Sequence, residues 1–301
     1  PAGEVKNVLN TKTVDIAQKY PLLSYRSWPA THFISANILY FTDIKTESLI
    51  KYMPIFWMIL FILITFSTGK RFKLSNNRSF IMSIIVISSF WSFHYYYGPQ
   101  SLAYLLYISS FMMIAGFNKH IKGIIVTLLI FMVAVMTHML TSVALILSFI
   151  SSSRLLINKN RAKFIMTILL IFAIWYVYIA PTMFNIGAKE FVKQMTSADI
   201  SSFTSAGKYD DGSLLSRQIT HYARISYLGI YALLMVVSII IYATGRIKEK
   251  ENMLIFKTSF YWMIGTLTLL MFKYGNVSEM EDRIYILSLI PMAMILVSSF
   301  K

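Results

Sequence analysis

Arg217, His221 and Arg224 stand at positions i, i+4 and i+7, the spacing that aligns side chains on one face of a helix. Each guanidinium offers a planar fork of donors that stays charged, which suits a phosphate or diphosphate group. The imidazole of His221 lies between the two guanidiniums. In the alternative interpretation, both arginines extend toward lipid headgroups from an ordinary helix. The sequence leaves these two interpretations open.

A second candidate site interrupts the apolar run of residues 123–153. His138 and Thr141 stand three residues apart near the middle of this run, and ionisable groups in apolar surroundings are energetically costly and often functional. We treat His138, together with His221, as a candidate catalytic group acting on an acceptor hydroxyl, and Thr141 as a substrate-binding residue. In the alternative interpretation, His138 hydrogen-bonds a backbone carbonyl and has a structural role only.

Three further residues are candidates for substrate binding. Arg283 follows several acids at the start of an apolar segment, and it either pairs with Glu279 or acts as a second anion-binding group. Gln100 follows a run of tyrosines that either belongs to an ordinary aromatic belt or contacts a sugar or lipid. Trp28 stands before Pro29, where we expect it at the level of the lipid headgroups.

Metal and nucleotide motifs are missing from this sequence. The chain has no cysteine, contains no HExxH pattern, and has no second histidine at ligand spacing on the helix expected around His138. Glycine-rich nucleotide-binding motifs are also absent. We therefore predict no metal site and no cofactor.

The composition is that of a membrane protein that crosses the bilayer many times. The chain is 56% hydrophobic and only 14% charged, whereas about a quarter of a typical soluble domain is charged. Mean hydropathy is +0.61. We predict an all-α, polytopic transmembrane helical bundle with about nine crossings. The predicted spans are 51–68, 79–96, 101–117, 123–137, 139–153, 164–181, 223–244, 254–273 and 284–300.

Two of these spans form a short helical hairpin at 123–153. One membrane helix needs only about 20 apolar residues, and this run is longer and is flanked at both ends by Lys and Arg. Clusters of Lys and Arg mark the cytoplasmic side of a membrane, so both flanks belong on one side. The chain must then cross twice, and we expect a turn at residues 137–141.

The distribution of charge predicts how the bundle lies in the membrane. Alternating spans place the basic segments 69–78, 119–122 and 153–163 on the cytoplasmic side, and the segments 182–222 and 274–282 outside. The formal net charge of +15 therefore indicates topology rather than nucleic-acid binding, which would require the charge on a soluble face.

We divide the chain into four parts. The amino-terminal part contains the short apolar segment 32–42, which is too short to span a bilayer and is expected to form an interfacial or re-entrant helix anchored by Trp28 and Tyr40. The parts are an outer-face segment at 1–50, a first part of the bundle at 51–181, a large outer-face loop at 182–222, and a second part of the bundle at 223–301. We also expect an upstream part with at least one earlier span.

Short motifs in residues 20–155 resemble multi-spanning membrane glycosyltransferases of the GT-C superfamily and the related EpsG-type and O-antigen-polymerase-type proteins of polysaccharide assembly. The motifs are Tyr20-Pro21, Trp28-Pro29, Pro99-Gln100-Ser101-Leu102-Ala103 and Thr137-His138-Met139-Leu140-Thr141-Ser142. The resemblance implies an all-helical enzyme that takes a sugar from a polyprenyl phosphate or diphosphate carrier at the outer face. Such enzymes usually carry an acidic catalytic residue in the first outer loop, and neither Asp15 nor Asp43 stands in such a motif.

From the resemblance we expect sugar transfer to a glycan or protein acceptor in the plasma membrane, for assembly of a cell-surface glycan. Arg217, Arg224 and Arg283 would stabilise the departing phosphate, and His138 or His221 would act on the acceptor. The expected partners are membrane lipids, the polyprenyl-linked sugar and the acceptor, without nucleic acid. The alternatives are a transporter or flippase of a lipid-linked or anionic solute, and a non-catalytic membrane subunit. The missing internal repeats argue against a transporter.

Overall fold

The computed structural model of the protein describes residues 29–90, 98–117, 121–156, 161–181, 214–271 and 277–300. All regular secondary structure within these ranges is helical, with ten α-helices, one π-helix and one 3₁₀-helix. The predicted all-α fold is therefore confirmed. The division of the chain at residues 50, 181 and 222 stays a prediction.

The ten α-helices follow one another along the chain, and residues 182–213, before α8, lie outside the described ranges. Each of the nine predicted spans overlaps one of the helices α2 to α10, and most of these helices begin before the apolar segment because their polar first turns are also helical. The helices are α1 Ala30–Thr42, α2 Thr46–Arg71, α3 Asn76–Phe90, α4 Pro99–Phe117, α5 Ile121–Val135, α6 Met139–Leu156, α7 Arg161–Ala173 continued by a π-helix at Ile174–Ile179, α8 Leu214–Ala243, α9 Lys250–Leu267 continued by a 3₁₀-helix at Thr268–Met271, and α10 Val277–Ser299.

The predicted break in the long apolar run is confirmed. Helix α5 ends at Val135 and helix α6 begins at Met139, so the break falls at residues 136–138, at the start of the predicted turn. Thr141 therefore lies in the first turn of α6. The short helix expected near residue 32 is also confirmed as α1, and Tyr40 on this helix is exposed.

Two helices, Thr46–Arg71 and Arg161–Ile179, are long and apolar enough to cross a membrane by length and composition. Five shorter apolar helices accompany them within the described ranges. Large hydrophobic side chains are exposed at intervals of three or four residues, which places them in stripes along single helix faces. Examples are Ile55, Ile59 and Leu63 on α2, Ile125, Leu129 and Met132 on α5, Met166, Leu170 and Ile174 on α7, and Leu233, Val236 and Ile240 on α8.

Helix α9 lies against α6 and α10, and α4 lies against α2 and α5. The crossing of α6 and α9 is especially close at Gly265. A Cβ atom at this position would come within 2.5 Å of Ser148 Cα and 2.6 Å of the Leu147 carbonyl oxygen. Small residues allow helix backbones to approach in this way, which strengthens packing where water supplies no driving force.

A buried hydrogen-bond network joins α4, α6 and α9. The Tyr107 hydroxyl lies 2.8 Å from Thr266 Oγ1 and 3.2 Å from Ser148 Oγ, and it also accepts a hydrogen bond from Trp262 Nε1–H. The Trp262 ring stacks on Phe111 with a centroid separation of 3.6 Å. The network satisfies polar groups that would be costly to bury alone, and it fixes the three helices relative to one another.

The basic segments meet at one end of the bundle. Lys73 forms an ion pair with Glu251 at 2.9 Å, and Arg78 Nη1 donates to Asn252 Oδ1 at 3.0 Å. These two contacts join the connection between α2 and α3 to the start of α9. The start of α7 meets the end of α6 where Arg161 Nε donates to Ser153 Oγ at 2.7 Å. We call this end, formed by residues 69–78, 153–156, 161–163 and 246–257, the basic end.

The opposite end contains the break between α5 and α6. The Ala30 backbone N–H at the start of α1 donates to the Met136 carbonyl at 3.2 Å, and Gln100 near the start of α4 approaches His138. We call this end, formed by residues 30–32, 99–101 and 136–142, the turn end.

Candidate functional site

The break at residues 136–138 is a short, fully bonded connection. The backbone N–H groups of Thr137 and His138 both donate to the Ala134 carbonyl at 3.0 Å, which closes α5. The His138 carbonyl accepts the Ser142 N–H at 3.2 Å and the Ser142 hydroxyl at 3.0 Å, which opens α6. The local backbone therefore fixes His138 between two helices.

A third element supports the break from the side. The π-helix after α7 carries Tyr176, whose hydroxyl donates to the Val135 carbonyl at 3.2 Å. This carbonyl belongs to the last turn of α5, where backbone acceptors have no partner within the helix. Short π-helical turns often occur at functional sites, and this one places a tyrosine against the end of α5.

His138 and Gln100 meet at the centre of the turn end. Their side chains come from helices separated by 38 residues, yet the Gln100 Nε2 and His138 Nε2 atoms lie 3.5 Å apart. Both residues are buried, with 6% of His138 and 7% of Gln100 exposed. When the Gln100 amide donates, His138 Nε2 accepts and the imidazole proton lies on Nδ1. The contact brings the amide of α4 and the imidazole before α6 together at the turn end.

Three helix amino termini converge around this pair. Helix α4 begins at Pro99, α6 begins at Met139, and α1 begins at Ala30, whose N–H reaches Met136. Helix amino termini carry unpaired N–H groups and the positive end of the helix dipole. An anion is therefore favoured beside His138, by the same physics that places phosphates at helix amino termini.

Buried hydroxyls also lie at the turn end. Thr141 follows His138 by three residues on α6, the spacing that places both on one side of the helix. Ser101 on α4 and Ser142 on α6 are also buried. A sugar presents many hydroxyl groups, and hydroxyl and amide side chains are the groups that bind them while exchanging donor and acceptor roles.

The first turn of α1 adds two residues that sequence reasoning missed. Thr31 and His32 are both buried, and neither was among the candidate site residues of the predicted interfacial or re-entrant helix. The pattern that would have revealed them is the recurrence of polar residues at 31 and 35 between small and apolar ones. The Ser35 hydroxyl in fact donates back to the Thr31 carbonyl within the helix.

The remaining predicted site residues are placed only in part. Arg217, His221 and Arg224 lie on α8, which begins at Leu214, so their predicted helical spacing is confirmed. Arg283 lies in the first turns of α10. The side chains of these four residues, and the whole of Trp28, lie outside what the structure describes. Their contribution to the site at His138 stays a prediction.

No group of three or more His, Asp or Glu residues that could hold a metal ion occurs in the described part of the chain. Comparisons with protein-family models, curated protein sequences and solved structures find no match to this chain. The fold and the site thus define an all-helical protein with apolar helices and a buried polar site at one end. The resemblance to GT-C glycosyltransferases and polysaccharide polymerases stays a prediction.

Proposed function

We propose that this protein is an integral membrane glycosyltransferase or polysaccharide polymerase. It takes a sugar from a polyprenyl phosphate or diphosphate carrier at the outer face of the plasma membrane and transfers it to a glycan or protein acceptor. The observation that carries this proposal is the buried contact between His138 and Gln100 where three helix amino termini meet. An imidazole beside a region that favours anions suits hydroxyl activation next to a departing phosphate.

The exterior of the bundle supports a membrane location. Exposed apolar stripes on α2, α5, α7 and α8 would be unfavourable in water, and lipid chains would cover them. The helices α2 to α10 then serve as nine crossings. The basic end faces the cytoplasm, because Lys and Arg are retained on that side. The turn end consequently faces outward, where lipid-linked sugars for surface glycans are used.

In the proposed reaction, one set of groups accepts the proton of the acceptor hydroxyl and another stabilises the departing phosphate. The acceptor oxygen forms a bond to the anomeric carbon while the bond from that carbon to the carrier phosphate oxygen breaks. The hydroxyl proton passes to His221, or to His138 Nε2 once the acceptor hydroxyl replaces the Gln100 amide as the donor to this atom. The phosphate leaves with the electron pair of the broken bond. Helix amino termini at the turn end stabilise its charge, together with Arg217, Arg224 and Arg283. Gln100, Thr141 and Trp28 bind the substrate.

A direct test measures release of the carrier. The full-length protein in lipid nanodiscs is given a radiolabelled polyprenyl-diphosphate sugar and a glycan acceptor, and free carrier and glycosylated acceptor are quantified. His138→Ala is expected to lower turnover by about 100-fold or more while changing the apparent affinity for the donor much less. Ser238→Ala is the control, because this buried hydroxyl on α8 has no hydrogen-bond partner in the described structure.

Two outcomes would reject the proposal. Movement of the intact lipid-linked sugar across proteoliposomes without carrier release would assign the site to a transporter or flippase. Equal turnover in His138→Ala and the parent protein would remove His138 from the chemistry and return it to a structural role.

A further inference from the structure

A cavity of about 120 Å³ opens at the basic end, on the opposite side of the bundle from His138. It lies between the ends of α2, α4 and α6 and the start of α9. The residues that define its chemistry are Arg71, Phe72, Lys73, Glu251, Leu254 and Ile255. Its volume is well above the roughly 10–15 Å³ that one water needs, so it has room for a larger polar group.

The rim of the cavity carries the charge. Arg71, Lys73 and Glu251 are all exposed, and the rim has a net positive charge. Lys73 and Glu251 form an ion pair at 2.9 Å, with 72% and 64% of their side chains exposed. Exposed ion pairs contribute little stability. A phosphate ligand can therefore replace the Glu251 carboxylate as the partner of Lys73 at small cost.

The backbone holds Lys73 in place at this rim. Lys73 adopts a left-handed conformation, with φ of 67°. Its N–H donates to the Lys70 carbonyl and the Leu74 N–H donates to the Gly69 carbonyl, both at 3.0 Å. This is the Schellman arrangement that ends many helices. It fixes the position from which the lysine side chain extends, two residues after Arg71.

The wall of the cavity is apolar and continues along the outside of α9. Phe72 and Ile255 are buried, and Leu254 is exposed at the mouth. Tyr261 is also exposed and stands two helical turns further along α9, about 10 Å beyond Leu254 on the same face. Half-buried Lys257 and buried Thr258 lie between them on this face, so an acyl chain starting at the cavity would contact Leu254 and the aliphatic stem of Lys257 before it reaches Tyr261.

We propose that this cavity binds the headgroup phosphate of an anionic phospholipid from the inner leaflet. The two cations contact the phosphate, and the apolar wall and Leu254 contact the first part of an acyl chain. Basic pockets between transmembrane helices on the cytoplasmic side bind anionic lipid headgroups in this way. The proposal requires that the bundle lies in a membrane, but it does not depend on glycosyl transfer, because the cavity and His138 occupy opposite ends.

The test compares two double variants that remove the same charges. Arg71→Gln with Lys73→Gln removes an arginine and a lysine from the cavity. Arg246→Gln with Lys248→Gln removes an arginine and a lysine with the same spacing from exposed positions at the basic end, outside the cavity. Native mass spectrometry of the full chain in detergent measures binding of phosphatidylglycerol, with phosphatidylcholine of identical acyl chains as the reference lipid.

We expect the cavity variant to lose about tenfold or more of its affinity for phosphatidylglycerol, and the control variant to stay within about twofold of the parent. Equal losses in both variants would mean diffuse attraction to the basic end and would overturn the proposal. So would equal affinity of the parent for the two lipids. Inorganic phosphate that displaces the lipid at similar concentration would indicate a site for small anions instead.

Two single variants test the remaining contacts and do not depend on folding of the double variant. Glu251→Gln releases Lys73 and makes the rim more positive, so affinity for phosphatidylglycerol should rise severalfold; an unchanged or lower affinity contradicts the proposed role of the rim. Leu254→Gln should weaken lipid binding and leave inorganic phosphate unaffected. A Leu254→Gln variant with parental lipid affinity would remove the acyl-chain contact from the proposal.

Discussion

At the scale of single residues, most buried hydroxyls of this bundle donate to a carbonyl of their own helix, and a few polar side chains meet across helices. Tyr107 contacts two hydroxyls and one indole from other helices, and His138 contacts the amide of Gln100. The first group is surrounded by stacked aromatic rings in the core, whereas the second lies where helices begin. We propose different roles for the two groups, the first in stability and the second in chemistry.

Replacing Tyr107 with phenylalanine tests the stabilising role. The Trp262 N–H and two hydroxyls would lose a buried partner, so Tyr107→Phe should lower the free energy of unfolding by about 1–3 kcal/mol. Denaturant unfolding in detergent micelles, followed by tryptophan fluorescence, measures this change. Tyr261→Phe is the matched control on an exposed face of α9 and should change stability little. Similar values for both variants would refute a stabilising network.

The arginines of α8 test the proposed chemistry. Arg217→Lys and Arg224→Lys each keep the charge but lose the planar fork of donors, because an ammonium group cannot bind two phosphate oxygens side by side. Each change should lower glycosyl transfer by about tenfold or more. Carrier release from the labelled donor measures the rate of glycosyl transfer, and Lys248→Arg is a control outside the site. Full activity in both lysine variants would support the interpretation that these arginines face lipid headgroups.

At the scale of elements, helix crossings depend on which residues are small. The backbones of α6 and α9 approach closely at Gly265, and the Tyr107 network lies next to this crossing because Thr266 and Ser148 are its neighbours. Gly229 on helix α8, in contrast, has open space around it. A Cβ atom at Gly229 would meet no other atom within 4 Å. The two positions thus form a natural pair for measuring the importance of the crossing.

Alanine substitutions at these glycines should have opposite effects. Gly265→Ala forces α6 and α9 apart and should lower the free energy of unfolding by about 1–3 kcal/mol. Gly229→Ala adds helix propensity at an open position and should raise it by up to about 1 kcal/mol. Thermal unfolding of the two variants in the same detergent gives the comparison. An increase in stability for Gly265→Ala would mean that the helices are not in contact there.

At the scale of the whole molecule, the two ends of the bundle differ in chemistry. The basic end gathers Lys and Arg from three connections, and the turn end gathers helix amino termini and buried polar residues. This difference between the two ends agrees with a single orientation of the bundle in a membrane. It also separates the proposed catalytic site from the proposed lipid site, so that each can be disrupted while the other is kept.

The absence of cysteine makes this orientation easy to measure. Lys45→Cys, before α2, should react with a membrane-impermeant thiol reagent in intact cells, because α2 runs from this residue to the basic end and the proposed orientation places the basic end in the cytoplasm. Ser75→Cys, between α2 and α3, should react only after the membrane is permeabilised. Both positions are exposed, so access depends on sidedness alone. The reverse pattern of labelling would invert the topology and contradict a site at the outer face.

The helices themselves were determined by the sequence. Long apolar segments separated by basic or polar connections predicted α2 to α10, and the polar group around His138 predicted the break between α5 and α6. These features are local, because a helix forms from hydrogen bonds between residues four apart and ends where its apolar pattern stops. The charged connections likewise predicted which segments would meet at the basic end.

Only the tertiary structure decided which side chains meet. Gln100 reaches His138, Tyr107 reaches Thr266, and Thr31 is buried beside the break, although nothing local to these residues specifies their partners. The physical reason is that helices such as α2 and α4 are apolar on nearly all sides, so their sequence does not specify which face turns inward. The rotation of each helix about its axis is set by packing, and close contacts such as the one at Gly265 decide it.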